Sequence, residues 1–356
     1  MNDADAMRRA LDLAANGWAR VHPNPLVGAV VLADGAVVGE GYHGEFGGPH
    51  AEAVALAAAG ARARGGTLFV TLEPCRHLGK QPACADAVVA AGIRRVVVAM
   101  PDPDAVAGGG VNRLRQAGVE VEVGCEREAA ERLNAAYLRN RTAAARPFVA
   151  LKLATSIDHK IADAAGHSRW ISGEEARDWV HWFRAGFQAI GVGGRTAQID
   201  DPMLTARGRP EPRVRPARVV FLGHRRLGPD ATLIRTAAEV RTILVSEVLT
   251  GGETATLEER GITVISDGDL ATQFAALRSH GIDSMVVEGG GRLAGSLLAA
   301  GLVDRFALIV SPVWLGDSGV PATRGFEVSS LLQAERWTIT ERRALGQDTL
   351  LVVDRR

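Results

Sequence analysis

Cysteine is scarce in this chain, three in 356 residues, and three thiols cannot all pair, so no disulfide framework holds the fold. Cys75, Cys84 and Cys125 are therefore ligands, nucleophiles or core. Net charge is lacking as well. Lys plus Arg and Asp plus Glu both number 41, which leaves no excess of cations to neutralise a polynucleotide, and a small substrate is favoured over nucleic acid. Aromatics make up only 5% of the chain. No uninterrupted apolar run reaches the roughly 18 residues that a membrane span needs. The opening stretch places Asp3 and Asp5 before Arg8 and Arg9 without a long apolar core, so it reads as an amphipathic helix rather than a signal peptide, and a cytoplasmic protein is expected.

What is present is an ordinary globular composition, 47% hydrophobic and 23% charged, in a chain long enough for two cores. Apolar periodicity predicts helices over 4–16, 50–60, 82–92, 112–117 and 126–140. It predicts strands over 26–33, 36–43, 67–73, 94–100 and 119–123, the first two joined by the Asp34-Gly35 turn. This alternation indicates an α/β sandwich with a largely parallel sheet after the first hairpin. Periodicity lapses over 141–147, which sets domains of 1–144 and 145–356. The second half repeats the rhythm, with strands near 148–154, 189–193, 217–223, 241–246, 262–265, 284–288 and 304–311. Its helices lie near 173–186, 269–280 and 291–300, and a closing antiparallel pair turns around Gly346.

Chemistry concentrates at element junctions. His50-Ala51-Glu52 opens an Ala-rich helix, Glu73-Pro74-Cys75 ends an apolar strand, and Cys84 follows nine positions later at another helix start. One imidazole and two thiolates make a three-ligand zinc site with its fourth position free for water, and Glu52 stands ready as the proton shuttle. The order H-x-E then P-C…C is the signature of zinc nucleobase deaminases, although eight residues, Arg76 to Ala83, separate these cysteines where two are usual. Isolated buried cysteines and a chance His-x-Glu are the bland alternative. A structural zinc would want a fourth protein ligand and would have no use for Glu52. Cys125, at a strand end without a partner, reads as core. Asn24, in a Pro-flanked loop, offers donors and acceptors to a pyrimidine edge, and Arg76, His77 and Lys80 offer positive charge to an anion.

In the second half, Gly289, Gly290 and Gly291 follow a buried strand and begin a helix, as a phosphate-binding loop would. The loop comes late, and no acidic residue stands about 20 positions on at a strand end, which disfavours a generic dinucleotide-binding fold. Lys152, Asp158, Asp200 and Arg207 interrupt or flank apolar segments and must pair or bind something.

Taken together, the chain resembles the bifunctional riboflavin biosynthesis family, a pyrimidine deaminase fused to a pyrimidine reductase. The first half carries His22-Pro23-Asn24-Pro25-x-Val27-Gly28, Pro49-His50-Ala51-Glu52 and Thr71-Leu72-Glu73-Pro74-Cys75. The second carries Leu151-Lys152-Leu153, Ser156-x-Asp158, Ser168-x-Trp170-Ile171-Ser172, Asp200-Asp201-Pro202-x-Leu204-Thr205-x-Arg207 and Glu288-Gly289-Gly290. The resemblance implies a cytidine-deaminase-like three-layer domain followed by a dihydrofolate-reductase-like domain. It implies Zn2+ and NADPH as cofactors and a phosphorylated pyrimidine, not nucleic acid or membrane, as partner; it leaves open whether the chain forms a homo-oligomer. It places Ala154, Trp170, Ser172, Thr196, Asp200, Gly290, Gly291, Arg292, Leu293, Ala294, Gly295 and Ser296 at cofactor positions. Asn24, His77, Lys80, Ser168, Arg184, Leu204, Arg207 and Glu288 fall at substrate positions. The chain departs from the family at His159, where Gly is usual, at Leu222, where Asp is usual, and at Gln81 and Ala83. A paralogue with one active half, or one acting on a related pyrimidine nucleotide in secondary metabolism, is the alternative.

Overall fold

The computed structural model describes all residues except 77–82, 105, 143–144, 267 and 356. The chain divides into two compact units, Met1–Ala143 and Ala144–Arg356.

The first unit runs α1 (Asp3–Ala15), β1 (Gly28–Ala33), β2 (Ala36–Tyr42), α2 (Ala51–Ala59), β3 (Thr67–Leu72), α3 (Cys84–Ala90), β4 (Arg95–Met100), α4 (Gly110–Gln116), β5 (Glu120–Val123), α5 (Arg127–Leu133) and α6 (Ala135–Thr142). Its sheet has the order β2-β1-β3-β4-β5. β1 is antiparallel to both neighbours, and β3, β4 and β5 are parallel. α1 packs on β1 and β3 and touches α5, whereas α2 packs on β1 and β2 and adjoins α3, so helices flank the sheet in three layers. The close approach of α1 requires glycine at position 28, where a Cβ would lie 1.9 Å from the carbonyl oxygen of Ala10. Cys125 is half-buried and packs against this core.

The sequence predicts one helix over 126–140, and the structure divides it at Asn134. The Asn134 side chain accepts from Leu26 N–H at 2.8 Å and donates to the Leu26 carbonyl at 2.9 Å. A residue committed to another segment's backbone bends the chain away from helical continuity.

The second unit contains β6 (Phe148–Ser156), β7 (Lys160–Ala162), α7 (Glu174–Ala185), β8 (Ala189–Gly193), α8 (Gly194–Asp200), β9 (Ala217–Phe221), α9 (Thr232–Arg235), β10 (Thr242–Val245), α10 (Gly251–Glu258), β11 (Ile262–Ile265), α11 (Leu270–Ser279), β12 (Ser284–Glu288), α12 (Gly291–Ala299), β13 (Arg305–Ser311), β14 (Val320–Pro321), β15 (Trp337–Leu345) and β16 (Asp348–Arg355). Nine strands form one sheet in the order β11-β10-β9-β8-β12-β6-β13-β16-β15, parallel up to β13 and antiparallel beyond it. β9 (Ala-Arg-Val-Val-Phe) is buried along its whole length, as expected of a parallel strand covered on both faces. Helices α8, α9 and α10 escape the sequence reading: they are short, and α10 has no buried residue to create an apolar period.

Family departures acquire a structural meaning here. His159 has φ +58°, the left-handed region that glycine enters without a Cβ penalty. Asp158 accepts from the N–H groups of Leu315 at 3.2 Å and Gly316 at 2.7 Å, so its polarity is spent on the backbone of a neighbouring loop.

The glycines of 289–295 do different jobs. Gly290 is the N-cap of α12 with ordinary extended dihedrals, and the nearest atom to an added Cβ is Thr196 Oγ1 at 3.7 Å. At Gly295 a Cβ would lie 2.0 Å from the carbonyl oxygen of Arg324, and at Gly291 it would lie 2.4 Å from that of Pro321. Gly295→Ala is expected to cost about 3 kcal/mol of stability, whereas Gly290→Ala costs under about 1 kcal/mol. Equal melting temperatures for the two variants, measured by circular dichroism, would contradict this packing.

Candidate active sites

In the first unit, β3 delivers Glu73, Pro74 and Cys75 at its C-terminal end, α2 begins with His50 as N-cap, and α3 begins with Cys84. His50 Nδ1 lies 3.7 Å from Cys75 Sγ and 3.3 Å from Cys84 Sγ. The three ligand atoms all fall within 4.8 Å of one another. Tetrahedral zinc bonds of about 2.3 Å to sulfur and 2.0 Å to nitrogen put such atoms roughly 3.5–3.8 Å apart, so the cluster has the size of a zinc site. Among the described residues this is the one group of His, Cys and acidic side chains close enough to hold a metal ion.

The electrostatics of these ligands without a cation are conflicted. A hydrogen bond from Cys84, supported by His50, pulls the Cys75 thiol down to about 4, while the same contact and burial push Cys84 upward. The hydrogen bond with Cys75 raises His50. Glu52, only 3% exposed, is pushed up to about 6 by burial. A divalent cation at this point resolves the conflict, because both sulfurs can then be thiolates.

A cavity of about 300 Å³ opens beside the cluster, lined by Asn24, His43, His50, Glu52, Glu73, Cys75, Asp102, Tyr137 and Arg141, among others. Glu73 braces one wall: Oε1 accepts from Gly109 N–H at 3.0 Å and Val111 N–H at 2.8 Å, and Oε2 from Asp102 N–H at 3.2 Å. The Tyr137 hydroxyl donates to Asp102 at 2.9 Å, and Arg141 pairs with Asp104 at 3.1 Å. Asn24 also lines the cavity, and its Nδ2 is 3.0 Å from His43 Nε2. Sequence reasoning gave no role to His43, Asp102, Tyr137 or Asn134, although His43 and Asp102 each follow the end of an apolar strand. His77 and Lys80 lie outside the described residues. Arg76 is described and exposed, at the start of the insert.

In the second unit, a groove of about 1460 Å³ runs along the C-terminal ends of β6, β8, β9, β10 and β12. Ala154, Trp170, Ser172, Thr196, Asp200, Gly290, Gly291, Arg292, Leu293 and Ser296 all line it, as do Ser168, Arg184, Leu204, Arg207 and Glu288. Two residues of the expected cofactor loop do not. Ala294 is fully buried in the core and Gly295 faces the Arg324 carbonyl, because a helix turns successive residues away from any one face. Leu222, 3% exposed, stands on the groove wall where the family usually has Asp.

Arg184 clamps Glu288 with Nε–Oε1 2.5 Å and Nη2–Oε2 2.9 Å, and Lys152 Nζ reaches Oε2 at 3.5 Å. Burial lowers Lys152. Against the burial that would raise it, the Arg184 and Lys152 charges hold Glu288 down to about 2. Among the described residues no ion pair joins Asp200 to Arg207, and both line the groove.

Fold and sites together define a two-domain enzyme, a zinc-type nucleobase deaminase unit followed by a reductase unit. Residues 1–100 match the family described as "Cytidine and deoxycytidylate deaminase zinc-binding region", and residues 147–351 match the "RibD C-terminal domain". The chain is 38% identical over 354 residues to the riboflavin biosynthesis protein RibD of Synechocystis sp., covering 98% of this chain and 95% of that protein. It is 38% identical over 381 residues to the Escherichia coli RibD, covering 99% of each. The solved Acinetobacter baumannii RibD superposes with TM-score 0.83 at 34% identity, and a Thermotoga maritima deaminase/reductase with TM-score 0.84 at 34% identity; each match covers 99% of both chains. The chain belongs to the RibD family of bifunctional riboflavin biosynthesis enzymes, with deaminase and reductase activities that use Zn2+ and NADPH. No described helix is long and apolar enough to cross a membrane.

The buried triad yields a pH prediction. The Glu288 carboxyl is depressed from an ordinary 4.5 to about 2, so its contribution is present above pH 4.5 and lost as pH falls towards 2. That shift corresponds to about 3 kcal/mol. Acid unfolding of Glu288→Gln, compared with wild type, should show a shallower loss of stability across that window. Parallel curves would assign the acid sensitivity to other groups.

Proposed function

We propose that the first unit converts 2,5-diamino-6-ribosylamino-4(3H)-pyrimidinone 5′-phosphate to its 2-oxo counterpart with release of ammonia, and that the second reduces the ribosyl group to a ribityl chain. The observation that carries the first half is the His50–Cys75–Cys84 cluster with buried Glu52 beside it in a cavity of pyrimidine size. His50, Cys75 and Cys84 would hold the zinc, whose Lewis acidity would make a substrate water acidic near neutral pH. Glu52 does the proton work: it takes one proton from that water and gives it to the ring nitrogen, then carries the remaining hydroxyl proton to the departing amine, so that ammonia leaves as the C–N bond breaks and the C=O forms. Its burial pushes its carboxyl above the ordinary range, so it takes up a proton more readily than an exposed glutamate. Arg76, His77 and Lys80 hold the phosphate.

Bound in the second unit, NADPH would supply a hydride to C1′ of the ribosyl group, and the protein would give a proton to the ring oxygen as the C1′–O bond opens. Trp170, Thr196, Asp200 and the Gly290–Ser296 turn form the cofactor wall, with Ala294 and Gly295 as its support. Ser168, Leu204 and Arg207 face the substrate. Lys152, buried at the groove beside the Glu288 carboxylate that Arg184 holds, would deliver the proton. The partner is a small phosphorylated pyrimidine rather than nucleic acid, in keeping with the zero net charge. A reducing cytoplasm suits Cys75 and Cys84 as free thiols. Assembly into a homo-oligomer is compatible with this reading and is measured by sedimentation.

Purified protein is expected to bind about one zinc per chain. Cys75→Ser and Cys84→Ser should lose both metal and deamination, and Glu52→Gln should keep zinc while deamination falls ~100-fold or more. Full zinc occupancy in the double Cys variant, or an unchanged rate in Glu52→Gln, would refute the assignment.

Gly290→Glu places volume and negative charge where cofactor phosphates approach, and should abolish NADPH binding measured by fluorescence titration while deamination persists. A wild type that deaminates but never consumes NADPH would turn attention to His159 and Leu222 and to a paralogue with one active half.

A further inference from the structure

His43 stands just beyond the end of β2, 3% exposed, with its backbone N–H on the Val27 carbonyl at 2.9 Å. Its Nδ1 lies 2.9 Å from the Pro49 carbonyl oxygen. A carbonyl only accepts, so Nδ1 carries the hydrogen. The ring is buried with a carbonyl and an amide as its hydrogen-bond partners, and in the neutral imidazole the remaining nitrogen, Nε2, is an acceptor. The group 3.0 Å from Nε2 is the Asn24 side-chain amide, which must therefore turn its NH2 towards His43. The other end of that amide is an oxygen, and Asn24 lines the cavity together with His50 and Glu52. The loop cannot swing to undo this choice. Asn24 N–H bonds the Val21 carbonyl at 2.9 Å, and Asn134 clamps Leu26 through both its amide atoms.

We propose that His43 is a positioning residue that fixes the Asn24 amide with its carbonyl oxygen towards the substrate, so that Asn24 reads an N–H donor on the pyrimidine edge. The inference rests on the deaminase reading of this cavity and adds to it a rule of ring selection. A 4-pyrimidinone carries N3–H and satisfies an acceptor. A cytosine-type ring, set with its amino-bearing carbon at the metal and its imine nitrogen towards Glu52, presents C5–H at the matching position and leaves the acceptor without an N–H donor, an unpaired polar contact that lowers binding tenfold or more.

The test compares wild type, His43→Leu and His43→Gln, all zinc-loaded, with the pyrimidinone phosphate and with its N3-methyl analogue. Without His43 the Asn24 amide is free to flip. His43→Leu should therefore raise KM about tenfold with a smaller change in kcat, and should lose discrimination against the methylated ring. His43→Gln offers an amide oxygen near the former Nε2 and should restore most of both. In an Asn24→Asp background, where either oxygen accepts, His43→Leu should add little further loss. Zinc-loaded His43→Leu with unchanged KM and unchanged discrimination overturns the proposal, as does an equal loss in the Leu and Gln variants, which marks a packing role. Failure of the wild type to deaminate the pyrimidinone would instead remove the functional reading on which the proposal stands, so the two failures are told apart.

Discussion

Two thiols and a buried carboxylate cannot all ionise side by side in a low-dielectric pocket unless a cation joins them, and the first unit is organised around that constraint. Its sheet and helices bring His50, Cys75 and Cys84 to within bonding distance of one point, and Glu52 is sealed beside them. Left alone, the sulfurs divide one proton unequally, Cys75 low and Cys84 high, and the carboxyl rises. A divalent cation held by these ligands would let both sulfurs be thiolates, which is the chemistry a zinc site uses.

Such a site needs walls that do not relax. Glu73 spends its carboxylate on three backbone N–H groups of the 102–111 segment, and Asn134 spends its amide on Leu26 at the cost of breaking a helix. Both are polar side chains used as fasteners for loops with no ladder of their own: Glu73 itself lines the cavity, and Leu26 follows Asn24 and Pro25, which do. His43 belongs to the same layer, one step from the metal ligands and one step from Asn24.

The second unit meets a similar problem with different means. Its groove lies at the ends of parallel strands, where polar groups have few backbone partners. It keeps three charges buried there, and Glu288 is tolerable because Arg184 makes a two-pronged contact and Lys152 closes the third side. The arrangement leaves one net positive charge facing a groove proposed for an anionic cofactor and a phosphorylated substrate.

The alternating apolar pattern was enough to place the principal sheet strands, because burial on a pleated or helical surface writes its period directly into the residues. The H-x-E and Cys positions were legible for a related reason: zinc chemistry accepts few ligand types, and each stood at an element junction. Short helices such as Gly251–Glu258 were not legible, since a helix that buries nothing carries no period. Nor was the break at Asn134, the divided labour of Gly290 and Gly295, or the pairing of Arg184 with Glu288. Those depend on Leu26, Arg324 and a strand end 104 positions along the chain meeting in space. Local sequence specifies which groups want partners; only the tertiary fold decides which partners come within 3 Å.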